Sequence, residues 1–148
     1  MKYPIGIQQF EKLREEDWIY VDKTEHIYNL VQGGTCYFLS RPRRFGKSML
    51  LSTLDAYFQG KKHLFKGLAI EQLETEWAEH AVLHLDLNAE KYTAPEDLTN
   101  ILDTYLREWE EKYESTEKEN PSLSQRFRSV IRAAKQKTGR NVVVLVDE

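Results

Sequence analysis

"RPRRFGKSML", residues 41–50, sets Arg41, Arg43, Arg44 and Lys47 around a single glycine, Gly46, at what reads as the joint between a strand and a helix. Such a joint is either a phosphate cradle or a basic surface turn. The segments before and after it, and the far end of the chain, decide between the two. "TCYFLS" (35–40) is a short aromatic and apolar run with glycines before it and a proline after it, so it is expected to be a buried strand. Cys36 lies in that run and is expected as a small core residue. After the joint, "GKSMLLSTLDAYFQG" spaces Met49, Leu50, Leu54, Tyr57 and Phe58 as one face of a helix and closes with Gly60.

The chemistry of the joint follows from what a triphosphate needs. Several donors must converge on its oxygens without bulky side chains in the way, and a glycine directly before a helix lets the backbone N–H groups of Gly46, Lys47 and Ser48 come close. Lys47 can reach the outer phosphates as a point charge, and the Ser48 hydroxyl is placed to ligate Mg²⁺. The candidate nucleotide-binding set is Arg43, Arg44, Phe45, Gly46, Lys47, Ser48 and Met49. The usual first glycine of G-x-x-x-x-G-K-[ST] is replaced by Arg41, and Pro42 biases Arg41 toward an extended conformation, so the loop enters differently and the extra arginines supply charge.

Gly-Lys-Ser alone is a weak signal. It gains force from "VVVLVDE" (142–148), an apolar run ending in two carboxylates 100 residues after Lys47. A buried strand ending there would aim Asp147 at the Mg²⁺ held by Ser48, and Glu148 would sit where a general base orients a water for attack on the terminal phosphate. Between the two motifs the periodicity predicts further elements. "YVDKTEHIYNLVQGG" reads as a helix of about ten residues with Asp22 as N-cap, and "AVLHLDLN" (81–88) as a second strand. Helices are expected in "APEDLTNILDTYLREWEEKY", with Pro95 near its first position, and in "LSQRFRSVIRAAKQKTG", ended by Gly139. Strands alternating with helices predict an α/β fold, a parallel sheet with helices on both faces and ligands at the carboxyl ends of its strands. The uninterrupted "VVVLV" is expected to be buried on both sides.

Composition narrows the classes. The chain has 148 residues, 41% hydrophobic and 30% charged, as in a folded globule. Its net charge of −3 gives no overall basic field for gripping nucleic acid, so an anion site must be built locally. A single cysteine excludes an internal disulfide, and no secretory segment or apolar run of about 18 residues is present, so a cytoplasmic setting without membrane is expected. His84 and Asp86 read first as core-edge residues, and Trp18, Trp77 and Trp109 as packing residues. His26, His63, His80 and Cys36 lack zinc-ligand spacing, and the acidic stretch 107–119 reads as a solvated helix face.

"YVDKT" (20–24), "RPRRFGKSMLLSTLDAYFQG" (41–60), "VLHLDLN" (82–88) and "VVVLVDE" together resemble the predicted AAA-ATPase-like family of bacteria and archaea, over nearly the whole chain. That family is similar to the additional-strand class of P-loop ATPases, and many members carry a nuclease-like domain of the PD-(D/E)XK type after the ATPase region. The family writes its loop as Arg-Pro-Arg-Arg-Phe-Gly-Lys-Ser, so the resemblance makes Arg41 a family feature. It implies ATP and Mg²⁺ as ligands, Gly46, Lys47 and Ser48 on phosphates and metal (Walker A), Asp147 as the acidic metal residue (Walker B) and Glu148 as the catalytic carboxylate. It also implies a P-loop three-layer sandwich, with Tyr20, Val21 and Asp22 lining the adenine site.

By the same resemblance residues 1–148 read as the N-terminal part of the domain, with about three strands, ending at the Walker B motif. A central strand would come later, and the exposed parallel edges would invite association with another chain. Three function classes stay open: an ATP-hydrolysing switch or motor domain, a P-loop kinase, and a regulatory module that holds nucleotide without turnover.

Overall fold

The computed structural model describes residues 3–88, 92–116 and 121–148; residues 117–119 of the acidic stretch lie outside them. The chain forms two compact units, one up to Glu79 and one from His80 onward.

The first unit holds α1 (Phe10–Glu15), α2 (Thr24–Gly33), α3 (Lys47–Phe58), a 3₁₀ turn (Lys62–Phe65) and α4 (Ile70–Leu73). Its core is aromatic. Phe65 is fully buried, with the rings of Phe10 and Trp77 at centroid distances of 4.9 and 5.2 Å. Tyr57 of α3 meets Phe65 edge-on, and its hydroxyl donates to the Glu74 carboxylate. Arg14 ties α1 to the turn below it, Nε donating to the Leu64 carbonyl at 2.8 Å and Nη2 to the Lys66 carbonyl at 2.6 Å.

The start of α2 departs from the sequence reading by one residue: Lys23, not Asp22, is the N-cap, and no side chain caps the helix. Asp22 Oδ1 accepts from the Thr24 amide at 2.9 Å and from the Thr24 hydroxyl at 2.7 Å, and Oδ2 accepts from the Ala69 amide at 2.7 Å. Thr24 is fully buried, and its Oγ1 accepts from the Ile70 amide at 3.1 Å. One carboxylate and one hydroxyl therefore join α2 to α4. Burial pushes the Asp22 carboxyl up, but the bonds from Thr24 and Ala69, with Arg14 nearby, outweigh it and hold the group below its ordinary 3.8.

The second unit holds β1 (Val82–Asp86), α5 (Pro95–Tyr113), α6 (Leu123–Thr138) and β2 (Val143–Asp147). Asp97 reaches back to accept from the Thr93 and Ala94 amides at the head of α5. Ser122 and Gln125 exchange side-chain and backbone bonds at the head of α6, and Gly139, at φ 69°, ends it. β1 and β2 pair in parallel, Val82 opposite Val143 through Asp86 opposite Asp147. The two helices cover Leu83 and Leu85 with Leu106, Trp109, Tyr113, Val130 and Ala134. Arg126 on α6 makes a fork to Glu110, Nε–Oε1 2.8 Å and Nη2–Oε2 2.9 Å, and also bonds Asp103, both on α5.

Three expectations are corrected. Residues 35–40 form no strand: Phe38 is 84% exposed, Tyr37 and Leu39 are exposed too, and the sheet has two strands among the described residues. A strand needs a ladder for its backbone groups; here Tyr37 folds back instead, its hydroxyl donating to the Leu30 carbonyl at 2.6 Å. Cys36 is exposed with the rest of that run, so it is no core residue. Nor is β2 buried on both sides, because Val144 and Val146 remain 41% and 47% exposed beside the covered Leu83 and Leu85, with no strand on the outer edge of β2 among the described residues.

The register sets a contrast that urea unfolding can read. Leu83→Ala, which empties a fully buried position, should cost about 3 kcal/mol, whereas Val144→Ala on the same face should cost under about 1 kcal/mol. For Asp22 the sign follows from the lowered pKa: its stabilisation is present above the unfolded value and lost as pH falls through the folded one. The gap in urea midpoint between wild type and Asp22→Asn should thus be wide at neutral pH and close below 3.8, the group's ordinary value. A gap that is constant across that range would show the carboxylate charge to be irrelevant.

Candidate functional site

In the first unit the chain reaches α3 through two left-handed residues, Arg44 at φ 67° and Gly46 at φ 76°, ψ 20°. Gly46 is the N-cap of α3, and its carbonyl accepts the first helical bond, from the Leu50 amide at 3.0 Å. A Cβ built on Gly46 would meet nothing within 4 Å, so it is the left-handed φ that favours glycine here, and the space before it is open. Arg44 holds the same region with a side chain, a strained state that clusters at binding loops.

No side chain caps α3. The first amides of a helix have no intrahelical acceptor, and its N-terminus carries a partial positive charge. Arg41, Arg43, Arg44 and Phe45 are exposed around this start, while Lys47, Ser48 and Met49 are half-buried within its first turn. The run 41–48 contains no carboxylate. Every fixed and mobile charge of the loop is therefore positive, the donor set that suits a phosphate.

One turn further along α3, Ser52 Oγ lies 3.0 Å from the Met49 carbonyl and accepts from the Phe10 amide at 3.0 Å. Thr53, almost fully buried, donates to the same Met49 carbonyl at 2.7 Å. Both hydroxyls escaped the sequence reading, since Ser and Thr within an apolar helical stripe give no local signal of what they bond.

In the second unit Asp147 ends β2 and is 5% exposed; its carbonyl accepts from the Leu87 amide at 2.8 Å. Its register neighbour on β1 is Asp86, so two carboxylate residues stand side by side at the carboxyl end of the parallel pair. Asp86 is exposed, and its Oδ1 accepts from the Asn88 amide. Glu148 follows as an exposed residue, and His84 is half-buried in the middle of β1. Arg43 through Met49 are thus gathered in one turn of the first unit, and Asp147 and Glu148 at one strand end of the second. Among the described residues no three His, Cys, Asp or Glu side chains form a group that could hold a metal ion, and no helix is long and apolar enough to cross a membrane.

Comparison with known proteins gives a family. The family model described as "Predicted AAA-ATPase" matches residues 4–148. The chain is 42% identical over 151 aligned residues to an "Uncharacterized protein in vnfD 5'region" of Azotobacter chroococcum mcd 1. That match covers 99% of this chain and 28% of the relative, so the chain spans a little over a quarter of the relative's length. No solved structure matches. The match over 4–148 includes the loop, α3, β1 and β2, and the chain belongs to the predicted AAA-ATPase-like family.

Proposed function

We propose that this chain binds Mg-ATP at the start of α3, in a P-loop arrangement, and that its domain hydrolyses it. One observation carries the reading: a left-handed glycine with open space before it opens a helix directly into Lys47 and Ser48, in a chain of the predicted AAA-ATPase-like family. The amides of Gly46, Lys47 and Ser48 bind phosphate oxygens, and Lys47 neutralises the outer phosphates. Arg43 and Arg44 add charge that an all-glycine loop lacks, and Phe45 and Met49 flank the binding turn.

Each unit carries a hard oxygen donor of the kind Mg²⁺ takes, the Ser48 hydroxyl in the first and the Asp147 carboxylate in the second. When bound, the ion would neutralise charge developing on the β- and γ-phosphates. By the family resemblance Glu148 would be the carboxylate that takes a proton from the attacking water as its oxygen bonds to the γ-phosphorus and the bond to the ADP oxygen breaks. The whole protein, which in the relative is much longer, would couple this cycle to further domains, a nuclease-like domain among them.

Titration calorimetry with Mg-ATP and Mg-GTP, beside phosphate release, tests the proposal. Lys47→Ala should weaken ATP binding at least about tenfold, the loss of one charge-assisted contact; full affinity in this variant would overturn the site. Gly46→Ala forces a side chain into the left-handed region at a cost of about 1 to 2 kcal/mol. It should weaken ATP by roughly 5- to 30-fold without changing the unfolding of the second unit. An unchanged affinity would mean that the turn at Gly46 does not hold the phosphates.

A further inference from the structure

The "YVDKT" motif, residues 20–24, is a sequence signal that the phosphate site does not use. Val21 points to solvent, but the residues on either side of it are engaged within the first unit. Tyr20 sets its ring against Phe10, centroids 5.3 Å apart and planes at 69°, and its hydroxyl is hydrogen-bonded with the Thr53 side chain of α3. Both Asp22 oxygens already accept backbone amides, from Thr24 and Ala69, and Thr24 Oγ1 accepts from Ile70. These are bonds of a clasp, not of a wall waiting for a base.

Phe10 connects that clasp to α3. It is the first residue of α1, where amides lack intrahelical acceptors, and it finds its acceptor in Ser52 Oγ at 3.0 Å. Ser52 thus caps α1 from another helix, while its Oγ also stands 3.0 Å from the Met49 carbonyl and 3.3 Å from the Gln8 carbonyl. Ser52 follows Ser48 by four residues, so the two share a face of α3. The run-in to the loop, 35–40, is exposed and forms no strand. Ser52, Phe10 and Tyr20 therefore restrain α3 from the other side, just beyond its first turn.

The geometry points to residues 8–24 as a brace that sets the pitch of α3, with Ser52, Tyr20 and Asp22 as positioning residues for the phosphate-binding amides. This rests on the reading of the α3 start as the phosphate site. The magnitude is set by how sharply such sites depend on placement: about 1 Å of displacement can cost on the order of a hundredfold, so loss of one brace bond should cost less.

Two measurements on wild type, Ser52→Ala, Ser52→Thr, Tyr20→Phe and Asp22→Asn separate the possibilities. The first is affinity for Mg-ATP and for Mg-tripolyphosphate, which has no base or sugar. The second is hydrogen exchange at the Leu50 amide, whose bond to the Gly46 carbonyl closes the first turn, with α5 amides as internal reference. Ser52→Ala should weaken both ligands by the same factor, roughly tenfold, and speed exchange at Leu50 but not in α5. Ser52→Thr should restore both properties. Tyr20→Phe and Asp22→Asn should act in the same direction on the two ligands.

Loss of ATP affinity with tripolyphosphate unchanged would make Tyr20 and Asp22 base contacts and overturn the brace. A lower melting temperature with Leu50 exchange and both affinities unchanged would reduce the motif to ordinary packing and overturn it equally. If wild type binds neither ligand while Leu50 still responds to Ser52→Ala, the brace stands and the phosphate reading falls.

Discussion

Everything proposed for the first unit depends on one backbone constraint, the left-handed turn at Gly46. A helix can present its first amides to an anion only if the chain approaches from a direction that leaves them uncovered. A residue at φ 76° supplies that direction by swinging the preceding segment off the helix axis. An extended serine, threonine or aspartate at the same place would do the opposite, because its side chain would fold over the second or third amide and cap it. The absence of any side-chain cap on α3 and the glycine at its head are thus two sides of one choice: the helix start is kept open at the cost of leaving it without a cap of its own.

That cost has to be met elsewhere, and the polar groups below the turn do so. Thr24 and Thr53 are buried hydroxyls, and burying a hydroxyl without a partner would cost about 1 to 3 kcal/mol. Each is satisfied, Thr24 by Asp22 and Ile70, Thr53 by the Met49 carbonyl. Satisfied polar bonds inside an aromatic cluster are directional where apolar packing is not. The rings of Phe10, Tyr57, Phe65 and Trp77 hold α3 in the unit, but rings can slide; the hydroxyl bonds admit one register.

The same division of labour runs through the second unit. Leu83, Leu106, Trp109 and Val130 provide the burial that joins the helices to β1. Arg126 then fixes how α5 and α6 meet, since its fork to Glu110 and its bond to Asp103 can be made in one relative placement. A half-buried ion pair adds less net stability than its geometry suggests, because its charges are partly desolvated. Its contribution is better understood as register, which in turn sets Asp86 beside Asp147 at the strand ends.

What the sequence disclosed follows from which forces are local. α3, α5 and α6 were legible because apolar spacing, Pro95 and Gly139 act within a few residues of where they sit. β2 was legible as an element but not in its burial, because "VVVLV" records what a strand can bury and not which neighbours are beside it. "TCYFLS" failed for the same reason more severely: aromatic composition marks a segment fit for a sheet, yet a strand exists only where another edge supplies its hydrogen bonds. The candidate site divides likewise. The Gly46–Ser48 turn could be read from residue types at fixed spacing, whereas Ser52 as a cap for α1, 42 residues from Phe10, could not, since nothing in a helix sequence announces a bond to a distant amide. The turn proposed to hold phosphate is a local device, so its residues are legible in the chain, while the bonds that hold the helix behind it are legible only in the fold.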